Sequence, residues 1–178
     1  LEAEVKRMLA DSRSNRFVRH FVEQWLGLDG MESVTHVTDD ALKDAMLKEP
    51  VAFFENLLKR NGSVLDFIHS DYALVNERLA KHYGMEGPKS QKFERTSLKG
   101  TNRPGGILGH ASVHLSGSDG AESHPIRRAV WIRERLLHDP PKPPPPDVPG
   151  IEQSVSNFEK LSLREQLEVH RQKEACND

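Results

Sequence analysis

The sequence predicts a mostly α-helical protein, an irregular domain of about six helices joined by long glycine-, serine- and proline-rich loops. Apolar residues recur at the three- and four-residue spacing of a helix face in several segments. Asp, Asn, Ser and Gly, the residues typical of helix ends, bound those segments. The helices are expected near residues 2–10, 14–28, 39–60, 76–83, 125–138 and 162–172.

Composition and charge exclude several classes of function. The net charge of -2 provides no basic footprint for a nucleic acid, so no nucleic-acid partner is expected. No apolar run approaches the roughly 18 residues of a membrane span. The opening residues 1–10 are typical of a helix and not of a signal peptide. Cys176 is the single cysteine, which excludes an internal disulfide framework.

The strongest helix signal lies at residues 14–28. Phe17, Phe21 and Trp25 recur every four residues beside Val18 and Val22, and this stripe is expected to lie in the core. Glycines at 27 and 30 are expected to end the helix.

The next helix, at residues 39–60, contains a proline. Asp39 and Asp40 stand in its first turn, where the helix dipole favours acids, and Asn61 with Gly62 closes it. Pro50 lacks an amide donor and its ring disfavours helical angles at Glu49, so a kink or a break is expected there.

Residues 63–98 are expected to form short elements. Ser63 can cap a short helical segment, and Asn76 and Gly84 bound a two-turn helix. Residues 93–98 alternate as a strand does, but residues 71–76 are interpreted as a turn. That interpretation leaves the strand without a partner, and an isolated strand is not stable.

The glycine- and serine-rich segment 99–122 carries the weak metal candidates His110 and His114. Their i, i+4 spacing places two imidazoles on one helix face. A metalloprotease motif would require a glutamate between them, and no third ligand is identifiable. Two partly exposed histidines near a flexible loop are therefore the favoured interpretation, and no metal is expected.

The helix at residues 125–138 leads into a proline-rich rod. Pro125 is suited to a first helical turn, and Trp131 contributes to a broad apolar face. The other face carries Arg127, Arg128, Arg133 and Arg135, which are expected to be solvated. Residues 140–149 are expected to form an ordered polyproline II segment that packs along the surface.

The last predicted helix opens with a capping box formed by Ser162 and Glu165. The predicted organisation has an N-terminal helical region at 1–98. A second region, 99–178, holds the loop, a helix, the proline rod and the last helix, packed on the first as one unit. No nucleophile elbow, phosphate loop or dinucleotide fingerprint is present, so the sequence leaves catalysis open.

Several blocks of this sequence occur together in a known family. They are RMLADSRSNRFVRHFVEQWLGL, SDYALVNERLAKHYG, GGILGHASV, HPIRRAVW and PPKPPPPDVPG. In this order they resemble planctomycete-type large exported proteins of unknown function with cytochrome-c-like C-x-x-C-H segments. The chain is similar to the helical region just before the haem motif. Ala129 and His124 replace the glycine and serine frequent in that family, and Pro104 departs from its arginine-glycine pair.

The resemblance implies a function that the residues alone do not. It implies a non-catalytic helical module linked to electron transfer or its scaffolding, in a periplasmic or secreted setting, with the other domains of the same polypeptide as partners. It also implies that Cys176 binds haem c if the chain continues into C-x-x-C-H. This fragment itself is expected to hold no cofactor. One alternative is an envelope oxidoreductase or a polysaccharide-acting enzyme with its site at loop 103–124. Another is an interaction module that uses the proline rod.

Overall fold

The computed structural model describes residues 1–118, 124–143 and 157–171. Within these ranges the protein is mostly helical, as predicted, with seven α-helices and one two-stranded sheet. The helices are α1 Glu2–Ala10, α2 Ser14–Leu26, α3 Asp40–Arg60, α4 Glu77–His82, α5 Ala111–Ser116, α6 Pro125–Arg135 and α7 Leu163–Arg171. The strands are β1 Tyr72–Val75 and β2 Glu94–Ser97. Short 3-10 turns lie at Leu28–Ser33, Val64–Phe67, Ile107–Gly109 and Phe158–Lys160.

The helix ends follow the capping residues. The Asp39 and Asn76 side chains accept hydrogen bonds from the amides of Leu42 and Leu79. Gly27 and Asn61 close α2 and α3 in the left-handed conformation. The predicted capping box of Ser162 and Glu165 at the start of α7 is also present. The Glu165 carboxylate accepts a 2.8 Å hydrogen bond from the Ser162 amide, and the Glu165 amide donates to the Ser162 hydroxyl at 3.4 Å.

Of the kink or the break predicted at Pro50, the break is wrong, and the kink stays a prediction. Helix α3 runs from Asp40 to Arg60 with Pro50 inside it. Both Pro50 and the preceding Glu49 are buried, together with Met46 and Phe53 on the same helix. Because α3 packs against α2, α4, α5 and β1, tertiary burial offsets the hydrogen bond that the proline removes.

The strand predicted near residues 93–98 is present, and its partner is the segment interpreted as a turn. β1 pairs antiparallel with β2, with Tyr72 opposite Ser97 and Val75 opposite Glu94. All four residues of β1 are buried, so the strand is a short continuous apolar run without the alternation that signals a half-buried strand. Packing of β1 against α3 supplies the support that an isolated hairpin lacks.

The core face of α2 differs from the predicted aromatic stripe. Val18, Val22 and Leu26 are buried, whereas Phe17 and Phe21 are 53% and 40% exposed. Trp25 lies beside the core, because it is partly buried and packs against a cluster that includes Leu26. The prediction that the whole stripe is core is therefore wrong at Phe17 and Phe21. The valines lie one residue further round the helix, on the buried face.

Two tryptophans connect α2 with α6. The Trp131 indole donates a 2.8 Å hydrogen bond to the Leu26 carbonyl, and the Trp25 indole donates a 3.0 Å bond to the Arg135 carbonyl. The Arg135 guanidinium donates in turn to the Gln24 carbonyl at 3.2 Å. These bonds satisfy backbone carbonyls near the ends of both helices.

The chain divides into two compact units, Leu1–Pro140 and Pro141–Asp178. In the second unit, the Gln166 amide donates to the carbonyls of Phe158 and Leu161, which joins α7 to the turn before it. The predicted boundary near residue 98 falls inside the first unit and stays a prediction. Residues 144–149 of the predicted rod and Cys176 lie outside the described residues. In the described part of the chain, no helix is both long and apolar enough to span a membrane.

Candidate functional site

The candidate site is a cleft of about 440 Å³ in the first unit, where α3, the end of α4 and α5 meet. Its polar lining consists of His36, His82, Tyr83, Arg103 and His114. Its apolar lining consists of Val37, Met46, Gly109, Pro104, Ala111 and Leu115. A cleft of this size with a few convergent polar groups is typical of small-molecule sites.

A buried acid lies behind the cleft. Glu49 on α3 is 1% exposed, and its Oε2 accepts a 2.6 Å hydrogen bond from the Tyr83 hydroxyl. The Ala111 amide at the start of α5 donates a 3.0 Å hydrogen bond to the same hydroxyl. Tyr83 follows the last residue of α4, and thus one phenol connects α3, α4 and α5. The Tyr83 hydroxyl therefore donates to Glu49 and accepts from Ala111.

Burial determines the protonation state of this acid. Removal from water raises the pKa of Glu49 from 4.5 to about 8, although the Tyr83 hydrogen bond, the Arg103 charge and the Ala111 amide act in the opposite direction. Burial, followed by the nearby Glu49, also raises the pKa of Tyr83. At neutral pH the Glu49 carboxyl is therefore mostly protonated and contributes little negative charge to the cleft.

Arg103 supplies the permanent positive charge of the cleft. Its guanidinium carbon lies 3.4 Å from the centre of the Tyr83 ring, a cation–π contact, and its Nη2 donates a 2.7 Å hydrogen bond to the Gly109 carbonyl. Among the described residues, no carboxylate lies within ion-pair distance of this guanidinium. Its charge therefore has no ionised partner in the described part of the chain.

Two glycines allow the chain after Arg103 to reach this position. A Cβ on Gly105 would lie 1.8 Å from the Ser70 carbonyl oxygen. Gly106 has φ 77°, and a Cβ there would lie 2.5 Å from the Phe67 carbonyl oxygen. The Gly106 amide donates a 3.1 Å hydrogen bond to the Ser70 hydroxyl, which fixes the loop beside β1. Only glycine permits so close an approach of two backbones.

The structure places the two histidines that the sequence grouped in different environments. His110 is 3% exposed, its ring lies edge-on to Phe53 at 5.2 Å, and its Nδ1 is buried without a hydrogen-bond partner. Burial, with smaller effects of Arg103 and His114, lowers the pKa of His110 to about 3. The interpretation of His110 as a partly exposed loop residue is therefore wrong, because the ring packs in the core.

His114 lies at the exposed edge of the cleft. Its Nε2 lies 2.8 Å from the Leu108 carbonyl oxygen, so this nitrogen carries the proton and donates. Burial, followed by the Arg128 charge, lowers the pKa of His114, which favours the neutral ring. Within the described ranges, no cluster of three or more His, Cys, Asp or Glu side chains is arranged to hold a metal. That His110 and His114 bind no metal stays a prediction.

Two of the α6 arginines have structural partners. Arg133 pairs with Asp139 at 2.6 Å, and Arg135 bonds the end of α2. Neither guanidinium is among the residues that line the cleft.

The sequence does not single out Glu49, Tyr83 or Arg103 as a functional residue. Glu49 lies in no quoted motif, whereas Tyr83 lies in the block SDYALVNERLAKHYG and Arg103 stands before Pro104, where the resembling family has its arginine-glycine pair. The three residues are far apart in the chain. One signal for Glu49 was available, since it occupies the helical stripe of Ala45, Met46 and Phe53, where an acid must be buried. Arg103 enters the sequence expectations only as the first residue of loop 103–124, because its role depends on the fold of the glycine loop after it.

The fold and the site define a small helical domain with a buried acid beside a cationic cleft. Residues 1–85 match the family PSD4, described as a protein of unknown function (DUF1592). Residues 104–178 match the family PSCyt3, described as a protein of unknown function (DUF1588). Neither match reaches half of the 178 residues, but together they span most of the chain in the order of the resemblance. No curated protein and no solved structure matches the chain.

The cleft is shared between the two matched segments. His36, His82 and Tyr83 belong to the first segment and His114 to the second, while Arg103 stands one residue before the second begins. Tyr83 of the first segment also receives the amide hydrogen bond of Ala111 from the second. Residues of both matched segments, all of them within the first unit, therefore meet at this site.

Proposed function

We propose that the chain is a non-catalytic helical module of a large exported cytochrome-c-like protein, linked to electron transfer or to its scaffolding. The observation that carries this proposal is the match of residues 104–178 to PSCyt3, whose name points to a cytochrome association. The match of residues 1–85 to a second family, in the order of the sequence resemblance, supports it. The partners in this proposal are the other domains of the same polypeptide and a redox partner, in the periplasm or outside the cell.

Cys176 has a defined role in this proposal. Covalent attachment of haem c requires two cysteine thiols and an axial histidine, supplied together by C-x-x-C-H. Cys176 is the only cysteine of the sequence, so the proposal requires that the chain continue into C-x-x-C-H in the full-length polypeptide. There the haem would supply one-electron chemistry, and Cys176 would form the first thioether.

The test is a covalent haem assay on the full-length protein, produced together with a c-type haem maturation system. We expect haem that stays with the polypeptide on a denaturing gel. In C176A we expect a loss of most of the covalently bound haem. The matched control is N177A, which changes a variable position of the motif and should retain the haem. A full-length protein without covalent haem, or haem binding unaffected by C176A, would contradict the proposal.

A second candidate is an enzyme with its site at loop 103–124, either an oxidoreductase or a hydrolase of polysaccharides. The observation in its favour is that Arg103 and His114 of this loop border the cleft. Turnover of a substrate that is abolished by substitutions in the cleft, in a protein without covalent haem, would favour it over the first candidate.

A further inference from the structure

We propose that the cleft bordered by Arg103, His82 and His114 binds a small organic monocarboxylate with an apolar body. This inference is independent of the haem proposal, since it rests on the first unit alone. It concerns a binding site formed where the two matched family segments meet.

The charge of the lining favours an anion. Arg103 carries a positive charge, and none of the residues that line the cleft is an aspartate or a glutamate. The nearest buried acid, Glu49, is mostly neutral at pH 7 because burial raises its pKa to about 8. A cationic lining in a partly desolvated cleft attracts negatively charged ligands more strongly than an exposed arginine does.

The position of Arg103 is fixed before any ligand binds. Stacking on the Tyr83 ring and the Nη2 bond to Gly109 hold the guanidinium plane. A guanidinium has five N–H donors, so donors remain after one bond is made to Gly109. A preorganised arginine loses little side-chain entropy on binding, and its planar edge matches the two oxygens of a carboxylate.

The histidines determine the charge of the ligand. Burial lowers the pKa of both His82 and His114, so neither ring adds a full positive charge at pH 7. His114 uses its Nε2 for the Leu108 carbonyl, which leaves its Nδ1 as an acceptor. Arg103 is the one permanently charged residue of the lining, while the Arg128 charge acts on His114 from outside it. One permanent charge in the lining suits a monoanion better than a phosphate dianion.

The apolar lining determines the rest of the ligand. Val37, just before α3, Met46 on α3 and Leu115 on α5 contribute apolar side chains to the lining. The volume of about 440 Å³ lies within the range of clefts that hold small organic molecules. A carboxylate near Arg103 with a ring-sized apolar body against these side chains would use both parts of the lining.

The test measures binding of sodium benzoate to the intact chain by calorimetry and by ¹H–¹⁵N NMR. We expect benzoate to shift the Arg103 side-chain signal and the amides of Gly109 and Ala111. Benzamide, the neutral analogue, and inorganic phosphate should each bind at least about tenfold more weakly, a difference of roughly 1.4 kcal/mol. Equal binding of benzamide, or tighter binding of phosphate, would overturn the assignment of a monocarboxylate.

The decisive variant is R103Q, for which we expect benzoate affinity to fall at least about tenfold. Its matched control is R95Q. Arg95 also stacks on a tyrosine, with its guanidinium carbon 3.9 Å from the Tyr72 ring centre, and it does not line the cleft. R95Q should bind benzoate as the unmodified chain does. Unchanged binding in R103Q, or an equal loss in R95Q, would overturn the proposal.

A second variant tests the site even if R103Q misfolds, which could happen because Arg103 also donates a hydrogen bond to the Gly109 carbonyl. L115W adds a large side chain at the apolar side of the cleft without altering a charged group. Benzoate binding should be lost in folded L115W, as judged by its NMR spectrum. Retention of full affinity there would contradict the location of the apolar body.

Discussion

Glu49 combines two properties that rarely occur together, full burial and a titratable carboxyl group. Its Oε2 has one protein donor at 2.6 Å, the Tyr83 hydroxyl, and the charged form is disfavoured because burial removes water. A neutral acid that accepts one hydrogen bond is tolerated inside a protein far better than a carboxylate. At the residue scale, the protonation of Glu49 should therefore be visible in the stability of the whole domain.

The first prediction concerns the dependence of stability on pH. The folded protein holds the Glu49 proton from pH 4.5 to about 8, where the unfolded chain has released it. Conversely, His110 stays neutral in the folded protein between pH 6.5 and about 3, where the unfolded chain binds a proton. The two contributions cancel between pH 4.5 and 6.5. The free energy of unfolding should fall by about 2 kcal/mol from pH 6.5 to 8 through Glu49, and it should fall below pH 4.5 through His110.

The substitution E49Q isolates the contribution of Glu49, because glutamine has no proton to release. In urea denaturation the E49Q protein should lose the decline above pH 6.5 and should gain stability as pH rises from 4.5 to 6.5. The matched control is E55Q on the same helix, where Glu55 pairs with Lys59 at the surface. E55Q should retain the original profile. A decline above pH 6.5 that persists in E49Q would show that another group causes it.

At the scale of elements, the loop at residues 103–109 requires glycine at two positions where its backbone passes close to other backbone atoms. The chain passes the carbonyls of Phe67 and Ser70 so closely that a Cβ at residue 105 or 106 would overlap them. Gly106 also requires a positive φ. The placement of Arg103 thus depends on backbone geometry several residues away.

The second prediction compares two glycines that share a positive φ and differ in their surroundings. G106A should lower the free energy of unfolding by at least about 3 kcal/mol, since it adds a clash with the Phe67 carbonyl to the strained backbone. G84A should lower it by only about 1–2 kcal/mol, because a Cβ there meets no atom within 4 Å. Both values can be measured by urea denaturation. Equal losses in the two variants would show that the backbone shifts to remove the clash with the Phe67 carbonyl, and would contradict the prediction.

At the scale of the whole first unit, α6 joins a fold whose other elements lie before residue 117. The reciprocal indole bonds of Trp25 and Trp131 connect α2 with α6 across more than 100 residues of sequence. Contacts between residues so far apart in sequence close a long loop. The chain loses conformational entropy when this loop closes, and each contact must offset part of that loss. The two indoles therefore contribute to the order of α6 as well as to the core.

The third prediction concerns these indoles. W131F keeps most of the apolar ring and removes the N–H, which leaves the Leu26 carbonyl without this donor. It should lower the free energy of unfolding by about 1–2 kcal/mol. F17L, at a 53% exposed position of α2, is the control and should change stability by less than about 0.5 kcal/mol. Backbone amide exchange should also become faster in α6 of W131F, and an unchanged exchange rate there would contradict the connecting role.

The helical class and the helix ends could be predicted from the sequence because they depend on local chemistry. Asp39, Asn76 and Ser162 cap helices through hydrogen bonds within three residues, and Gly27 and Asn61 end helices through their own backbone conformation. Such interactions act within one or two helical turns. Both partners therefore lie close together in the sequence, and the local pattern of residue types is enough to predict them.

The sheet, the uninterrupted α3 and the cleft were decided by tertiary structure. β1 is a strand because β2, about twenty residues later, pairs with it, and Pro50 stays helical because it is buried against other elements. The site brings together Glu49, Tyr83 and Arg103, which no local pattern relates to one another. Their pKa values and hydrogen bonds arise only when packing removes water, and the free energy of that burial depends on the complete fold.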